Sequence, residues 1–189
     1  MILTGHEDLR VVKTIEGIKK AFEALICEKE YEKITVKELC DRAMINKKTF
    51  YHYYPTLDDL LAELQMELSA GYLERVKDFC LPKDLALVNR EFFLFSAEQG
   101  TAYEKITCSV AYAKPRQEMV DHVTATAWGK SPVFLALDPF RQELLLEFIN
   151  TAVLGAYRRW VEDGKCLPLE EIIEQTNRLV CGGVERYFQ

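Results

Sequence analysis

Residues 35–54 read TVKELCDRAMINKKTFYHYY, and the fold turns on how this stretch is punctuated. Thr35-Val36-Lys37-Glu38 is a capping box, in which the Thr35 hydroxyl accepts from the backbone N–H of Glu38 while the Glu38 carboxylate reaches back to that of Thr35. Val36, Leu39, Cys40 and Ala43 follow at i, i+3, i+4 and i+7, the apolar face of a short helix that leaves Lys37, Asp41 and Arg42 in water. After Ala43 the period breaks. Met44 and Ile45 carry a turn, Asn46 is placed as an N-cap, and a second helix starts at Lys47 with Phe50 facing inward. Lys47, Lys48, Thr49, Tyr51 and His52 are left for something outside the chain. Two short helices, a tight turn and a basic, aromatic second helix form the pattern by which an α-helix is presented to the DNA major groove.

On those residues the stretch resembles the N-terminal DNA-binding domain of the TetR family of bacterial transcriptional regulators. The positions that carry the resemblance are Thr35, Leu39, Ala43, Ile45, Asn46, Thr49, Phe50, Tyr51, Tyr53, Tyr54 and Leu60, within a match spanning roughly residues 10–62. Two positions depart from the family pattern. Met44 stands where the pattern has a glycine, which implies a turn that manages without easy access to positive φ. Leu57 stands where a lysine usually opens the next helix, which implies one phosphate contact fewer and weaker nonspecific affinity. By position in the motif, Lys47, Lys48, Thr49 and His52 are candidates for base edges, with lysine able to reach guanine O6 and N7. Tyr51 and Tyr53 are candidates for phosphates through their hydroxyls, and Thr35 for another through its hydroxyl and backbone N–H. Tyr54 takes the core aromatic position. The resemblance implies a homodimeric DNA-binding regulator, a repressor reading a palindromic double-stranded operator and released by a small-molecule effector.

Composition supports an all-α chain, with 49% hydrophobic and 29% charged residues and only 9 Gly and 6 Pro among 189. A helix-turn-helix domain over residues 1–55 and a larger helical effector-binding and dimerisation domain over 56–189 are expected. The start, MILTGHEDLR, lacks the pattern of a secretory leader, and no uncharged run reaches membrane-spanning length, so a soluble cytoplasmic protein with no membrane partner is expected. The net charge of −6 runs against DNA binding until it is divided. Residues 33–57 hold Lys33, Lys37, Arg42, Lys47 and Lys48 against Glu38 and Asp41, a local excess of +3. A basic patch on an acidic body suits a protein that touches DNA at its tips only. Six cysteines, at 27, 40, 80, 108, 166 and 181, show no CxxC pair or zinc spacing and read as buried structural thiols, with a redox-responsive regulator as the alternative. The histidines at 6, 52 and 122 are scattered, with no paired nucleophile or carboxylate constellation, and no Gly-rich phosphate loop is present. Neither an enzyme nor a cofactor or metal is expected.

Outside the motif, a scaffold helix is expected over 8–29, with Val12, Ile15, Ile18, Phe22, Leu25 and Ile26 on one face and Gly17 inside it at a cost of up to about 1 kcal/mol. Pro55 ends the reader helix, Thr56 caps toward Asp59, and a long helix runs to about Phe79. Further helices are expected at 84–98, 101–112, 115–128, 138–163 and 168–187, with 129–137 as a loop. Phe79, Phe92, Phe95, Tyr103, Tyr112, Arg116, His122 and Trp128, with Phe93 and Phe134, are candidates for an aromatic effector pocket. Over the last two helices an apolar stripe wider than one core needs, including Leu145, Phe148, Ile149, Ala152, Ala156, Trp160, Ile173, Thr176 and Val180, is the candidate dimer interface, two helices per chain making a four-helix bundle. A helical adaptor binding only protein would keep that stripe but gives no reason for the Lys47–Tyr53 face.

Overall fold

The computed structural model describes residues 8–188. The expectations about the first residues, including His6 and the absence of a leader, lie outside them. Ten α-helices are present and no strand among the described residues: α1 (Leu9–Glu28), α2 (Val36–Ala43), α3 (Lys47–Tyr53), α4 (Leu57–Val76), α5 (Leu85–Glu98), α6 (Thr101–Cys108), α7 (Ala113–Trp128), α8 (Pro132–Leu135), α9 (Pro139–Glu162) and α10 (Leu169–Tyr187). No helix among the described residues is long and apolar enough to cross a membrane.

The helix ends follow side-chain chemistry. Asp8 caps α1 through the N–H of Arg10 at 2.8 Å, and Thr35 and Asn46 cap α2 and α3 through the N–H groups of Glu38 and Thr49, at 3.3 and 2.8 Å. Thr56 and Asp59 form a reciprocal box before α4, Thr56 N–H donating to the carboxylate at 2.9 Å and Asp59 N–H to the hydroxyl at 3.1 Å. Two expectations change in detail. Residues 101–112 do not form one helix: Ser109 turns extended, caps Ala111 with its hydroxyl, and restarts the chain as a 3-10 turn over Val110–Tyr112. The segment 129–137 holds the short α8, capped by Ser131 with Pro132 in its first turn.

The chain divides into two compact units, residues up to Leu68 with Thr101–Arg116, and Ser69–Gly100 with the chain from Gln117 onward. The boundary anticipated after residue 55 thus moves to 68, and a mid-chain segment joins the first unit. The reason is visible in the core: Leu60, Leu61 and Leu64 of α4, Ile106 of α6 and Tyr112 are buried in one cluster with Phe22, Leu39, Phe50 and Tyr54. Gly17 has no packing role, since a Cβ placed there meets nothing within 4 Å.

The turn between α2 and α3 is made through Met44. It sits in the left-handed region at φ 54° and ψ 41°, 91% exposed, so the turn does require positive φ. A side chain there costs about 1–2 kcal/mol, part of which glycine would return as unfolded-state entropy. Met44→Gly is therefore expected to stabilise the fold by about 1 kcal/mol and raise the melting temperature by roughly 3 °C, as read by thermal denaturation.

Within the first unit, Lys19 lies 2.8 Å from Glu63 and 2.5 Å from Glu67, and the Tyr54 hydroxyl donates to Glu63 at 3.0 Å. Burial first, then the charge of Glu67, pushes the Tyr54 phenol up from 10.0 to about 12. Burial, then Glu30, Glu32 and Cys27, do the same for Tyr112, again to about 12. A raised folded pKa means stability that is complete below pH 10 and lost as pH climbs toward 12. Denaturation followed between those pH values is expected to show that loss, and Tyr54→Phe to flatten it.

In the second unit, α10 packs against α5 and α9. Arg90 forms a bidentate pair with Glu170, Asn177 Nδ2 donates to the Ala86 carbonyl at 3.1 Å, and Trp160 Nε1 donates to the Leu167 carbonyl at 2.8 Å. Tyr72, Phe92, Phe93, Tyr157 and Trp160 form an aromatic cluster with ring centroids 5.5–6.4 Å apart.

Candidate nucleic-acid interface

The face of α3 is built from its buried side outward. Phe50 and Tyr54 anchor the helix in the core with ring centroids 5.9 Å apart, and Tyr53 packs half-buried against the same cluster. That registration turns Lys47, Lys48, Tyr51 and His52 to the surface. Thr49 is half-buried, and its hydroxyl donates to Asn46 Oδ1 at 3.1 Å, so it serves the cap and retains only acceptor capacity outward. Thr35 is exposed, with its hydroxyl donating to the Glu38 carboxylate at 3.1 Å.

The electrostatics single out the lysines. Arg42, counted in the basic patch from sequence, makes a bidentate pair with Glu28 at 2.6 and 2.8 Å, which holds the Glu28 carboxyl below its usual range. Lys29 pairs with Glu38 at 2.6 Å. Lys33, Lys37, Lys47 and Lys48 are exposed and have no carboxylate within 4 Å among the described residues. Lys47 and Lys48 also occupy the first turn of α3, which carries no acidic residue. The helix dipole disfavours cations there by some tenths of a kcal/mol each. Such a placement is unfavourable to the isolated fold and favourable to a helix N-terminus that meets phosphates or guanine edges. Leu57, where the family pattern has lysine, packs on the core instead.

The eight residues expected to line an effector pocket are divided between the two units. Tyr103, Tyr112 and Arg116 belong to the first unit, where Tyr112 is fully buried and Arg116 donates to the carbonyls of Ile106 and Ser109 at 3.2 and 2.9 Å. In the second unit, Phe92 and Phe95 pack on Tyr72, and Arg75 lies 5.1 Å over the Phe95 ring. Trp128 packs on Phe134, and His122 is exposed. Phe79 lines a groove of about 330 Å³ with Leu73, Val76, Leu81 and Val88.

The stripe read as the dimer interface is mostly internal. Leu145, Ile149, Trp160, Ile173, Thr176 and Val180 are buried within the chain, Ala152 and Ala156 are half-buried, and Phe148 is exposed. The outward apolar row is Phe140, Leu144 and Phe148 on α9 and Leu179 on α10, 48–77% exposed. Their i, i+4 spacing was in the sequence, but periodicity alone does not say which side of a two-sided apolar helix faces its own chain. The cysteine expectation is also corrected: Cys27, Cys80 and Cys166 are exposed, Cys108 and Cys181 half-buried, and Cys40 buried.

Comparison with known proteins bears on this geometry. The model of the N-terminal domain of bacterial regulatory proteins of the tetR family matches residues 18–64. The uncharacterized HTH-type transcriptional regulator YxbF of Bacillus subtilis (strain 168) is 25% identical over 183 residues, covering 89% of this chain. The chain spans 44% of that relative's length. Solved structures share the fold at low identity. A TetR transcriptional regulator from Streptococcus agalactiae 2603V superposes with a TM-score of 0.65 at 19% identity, over 90% of this chain and 95% of that one. NalD, the secondary repressor of the MexAB-OprM multidrug efflux pump in Pseudomonas aeruginosa, gives 0.66 at 14%, over 91% and 97%. The fatty acid degradation regulator FadR of Bacillus halodurans gives 0.63 at 16%, over 90% and 95%.

Proposed function

We propose that this chain, whose residues 18–64 match the model of the tetR family of bacterial regulatory proteins, is a regulator of that family, a repressor that binds a palindromic operator as a homodimer and leaves it when a small-molecule effector binds. The observation that carries the DNA reading is the pair Lys47–Lys48, exposed, without carboxylate partners among the described residues and set against the dipole of α3. Within this reading Lys47, Lys48 and His52 approach base edges, and Thr35, Tyr51 and Tyr53 approach the backbone.

Dimerisation is supported by the exposed row Phe140, Leu144, Phe148 and Leu179, apolar side chains that a lone protomer leaves in water. Gly155 and Gly182, where a Cβ meets nothing within 4 Å, let a second backbone approach closely. Phe148→Glu with Leu179→Glu is expected to yield folded monomer at micromolar concentration in a sedimentation experiment, where the unaltered chain sediments as a dimer. The DNA flanking the protein's own reading frame is the first duplex to titrate, because regulators of this kind often control adjacent genes. Gel-shift retention of that fragment by the wild type, and its release by the double glutamate variant, supports the reading. A wild-type monomer that binds DNA equally well contradicts its dimeric part.

A further inference from the structure

The first unit contains a segment that the helix-turn-helix motif does not explain. Thr101–Tyr112 lies at least 40 residues beyond Leu60 in sequence, yet Ile106 and Tyr112 share the core of the reader. Two sets of interactions fix it there, through Lys105 and Tyr112, and a third, through Arg116, holds its own shape. Lys105 Nζ donates to the Lys29 carbonyl at 2.9 Å, serving the backbone where α1 ends, and lies 3.6 Å from Glu30. Arg116 locks the break between α6 and the 3-10 turn by donating to the carbonyls of Ile106 and Ser109. The Tyr112 ring packs on the Tyr31 ring at 5.3 Å, and Tyr31 also meets Phe22 at 6.4 Å.

Tyr31 carries the connection onward. Its hydroxyl donates to the carboxylate of Asp58, in the first turn of α4 and four residues after Tyr54, which closes α3. A path of packed rings and one charge-assisted hydrogen bond therefore runs from Tyr112 through Tyr31 to Asp58, at the turn that holds the C-terminal end of the reader helix. The Tyr112 hydroxyl itself has no hydrogen-bond partner among the described residues, so the ring alone serves this path.

We propose that Thr101–Tyr112 is a working part of the DNA reader, in which Lys105, Tyr112 and Tyr31 are positioning residues that set the orientation of α3 through Lys29 and Asp58. The proposal rests on the reading of α3 as the helix that contacts operator DNA. None of the three residues touches DNA in this account, so their loss changes where the reader points and leaves the number of phosphate contacts as it was.

The test uses the full chain and duplexes selected from a library in which two inverted half-sites are separated by a random spacer, with Tyr31→Phe, Lys105→Met and Tyr112→Phe compared with wild type. Tyr31→Phe and Lys105→Met are expected to bind the wild-type duplex about tenfold more weakly. They accept a wider range of spacers, keep the salt dependence of binding unchanged, and melt within about 3 °C of wild type. Tyr112→Phe keeps wild-type affinity and spacing, because it preserves the ring. Wild-type affinity and spacing in Tyr31→Phe overturn the proposal, as does a shallower salt dependence in Lys105→Met, which would make that lysine a direct phosphate contact. A wild-type chain that retains no duplex overturns the DNA reading as well, before any variant is compared.

Discussion

Lys47→Ala combined with Lys48→Ala is expected to abolish operator binding while leaving the protein folded. Each well-placed lysine contact to a guanine edge contributes about 1–3 kcal/mol, and every 1.4 kcal/mol is a factor of about ten in affinity, so the pair accounts for a loss of about three orders of magnitude. The fold should not suffer. Both side chains are exposed, and both sit in the first turn of α3, where a positive charge opposes the helix dipole. Thermal stability is therefore expected to stay level or rise by some tenths of a kcal/mol. This opposition of sign separates the functional role from a merely solvated helix face, whose removal would leave DNA binding unchanged. Titration of a fluorescent operator duplex, paired with a thermal melt of the same samples, reads both quantities.

Lys19→Met is expected to destabilise the first unit by about 3–5 kcal/mol. Lys19 is 12% exposed and Glu63 6% exposed at their side chains, 2.8 Å apart, so the substitution removes the Lys19 cation from a buried carboxylate. Lys19→Met combined with Glu63→Met should recover most of the loss, since replacing a buried pair by apolar side chains of similar volume is often neutral. The recovery will be incomplete, because the Tyr54 hydroxyl then loses its acceptor at 3.0 Å. Denaturant unfolding of the three proteins measures this directly. If the single substitution costs no more than an exposed pair, under about 1 kcal/mol, the ion pair is solvated and the account of this core is wrong.

Much of the DNA-binding unit was legible in residues 35–59 because its signals are local. The boxes at Thr35 and Thr56, the Asn46 cap and the i, i+3, i+4 spacing of α2 each act within one helical turn, and each appears in the structure where the sequence sets it. What was not legible depends on partners far along the chain. Arg42 looked available until Glu28, 14 residues away, took both its nitrogens. Tyr112 looked like a pocket residue because a buried aromatic carries no mark of which core it enters. The α9–α10 stripe was read as an interface because it is apolar on two sides, and the interior of the chain took Leu145, Ile149 and Val180 while Phe140, Leu144 and Leu179 stayed outside. Met44 is a different case. Glycine at a left-handed turn is a preference of about 1–2 kcal/mol, which a folded chain is able to override.

The central claim is that α3 reads duplex DNA in two copies. It is tested most directly by incubating the full chain with a library of random duplexes at moderate salt, recovering what is retained, and sequencing it. The account predicts enrichment of an inverted repeat whose half-sites are about one helical turn apart or a multiple of it. Recovery of no duplex above the background of the Lys47→Ala, Lys48→Ala protein would contradict it.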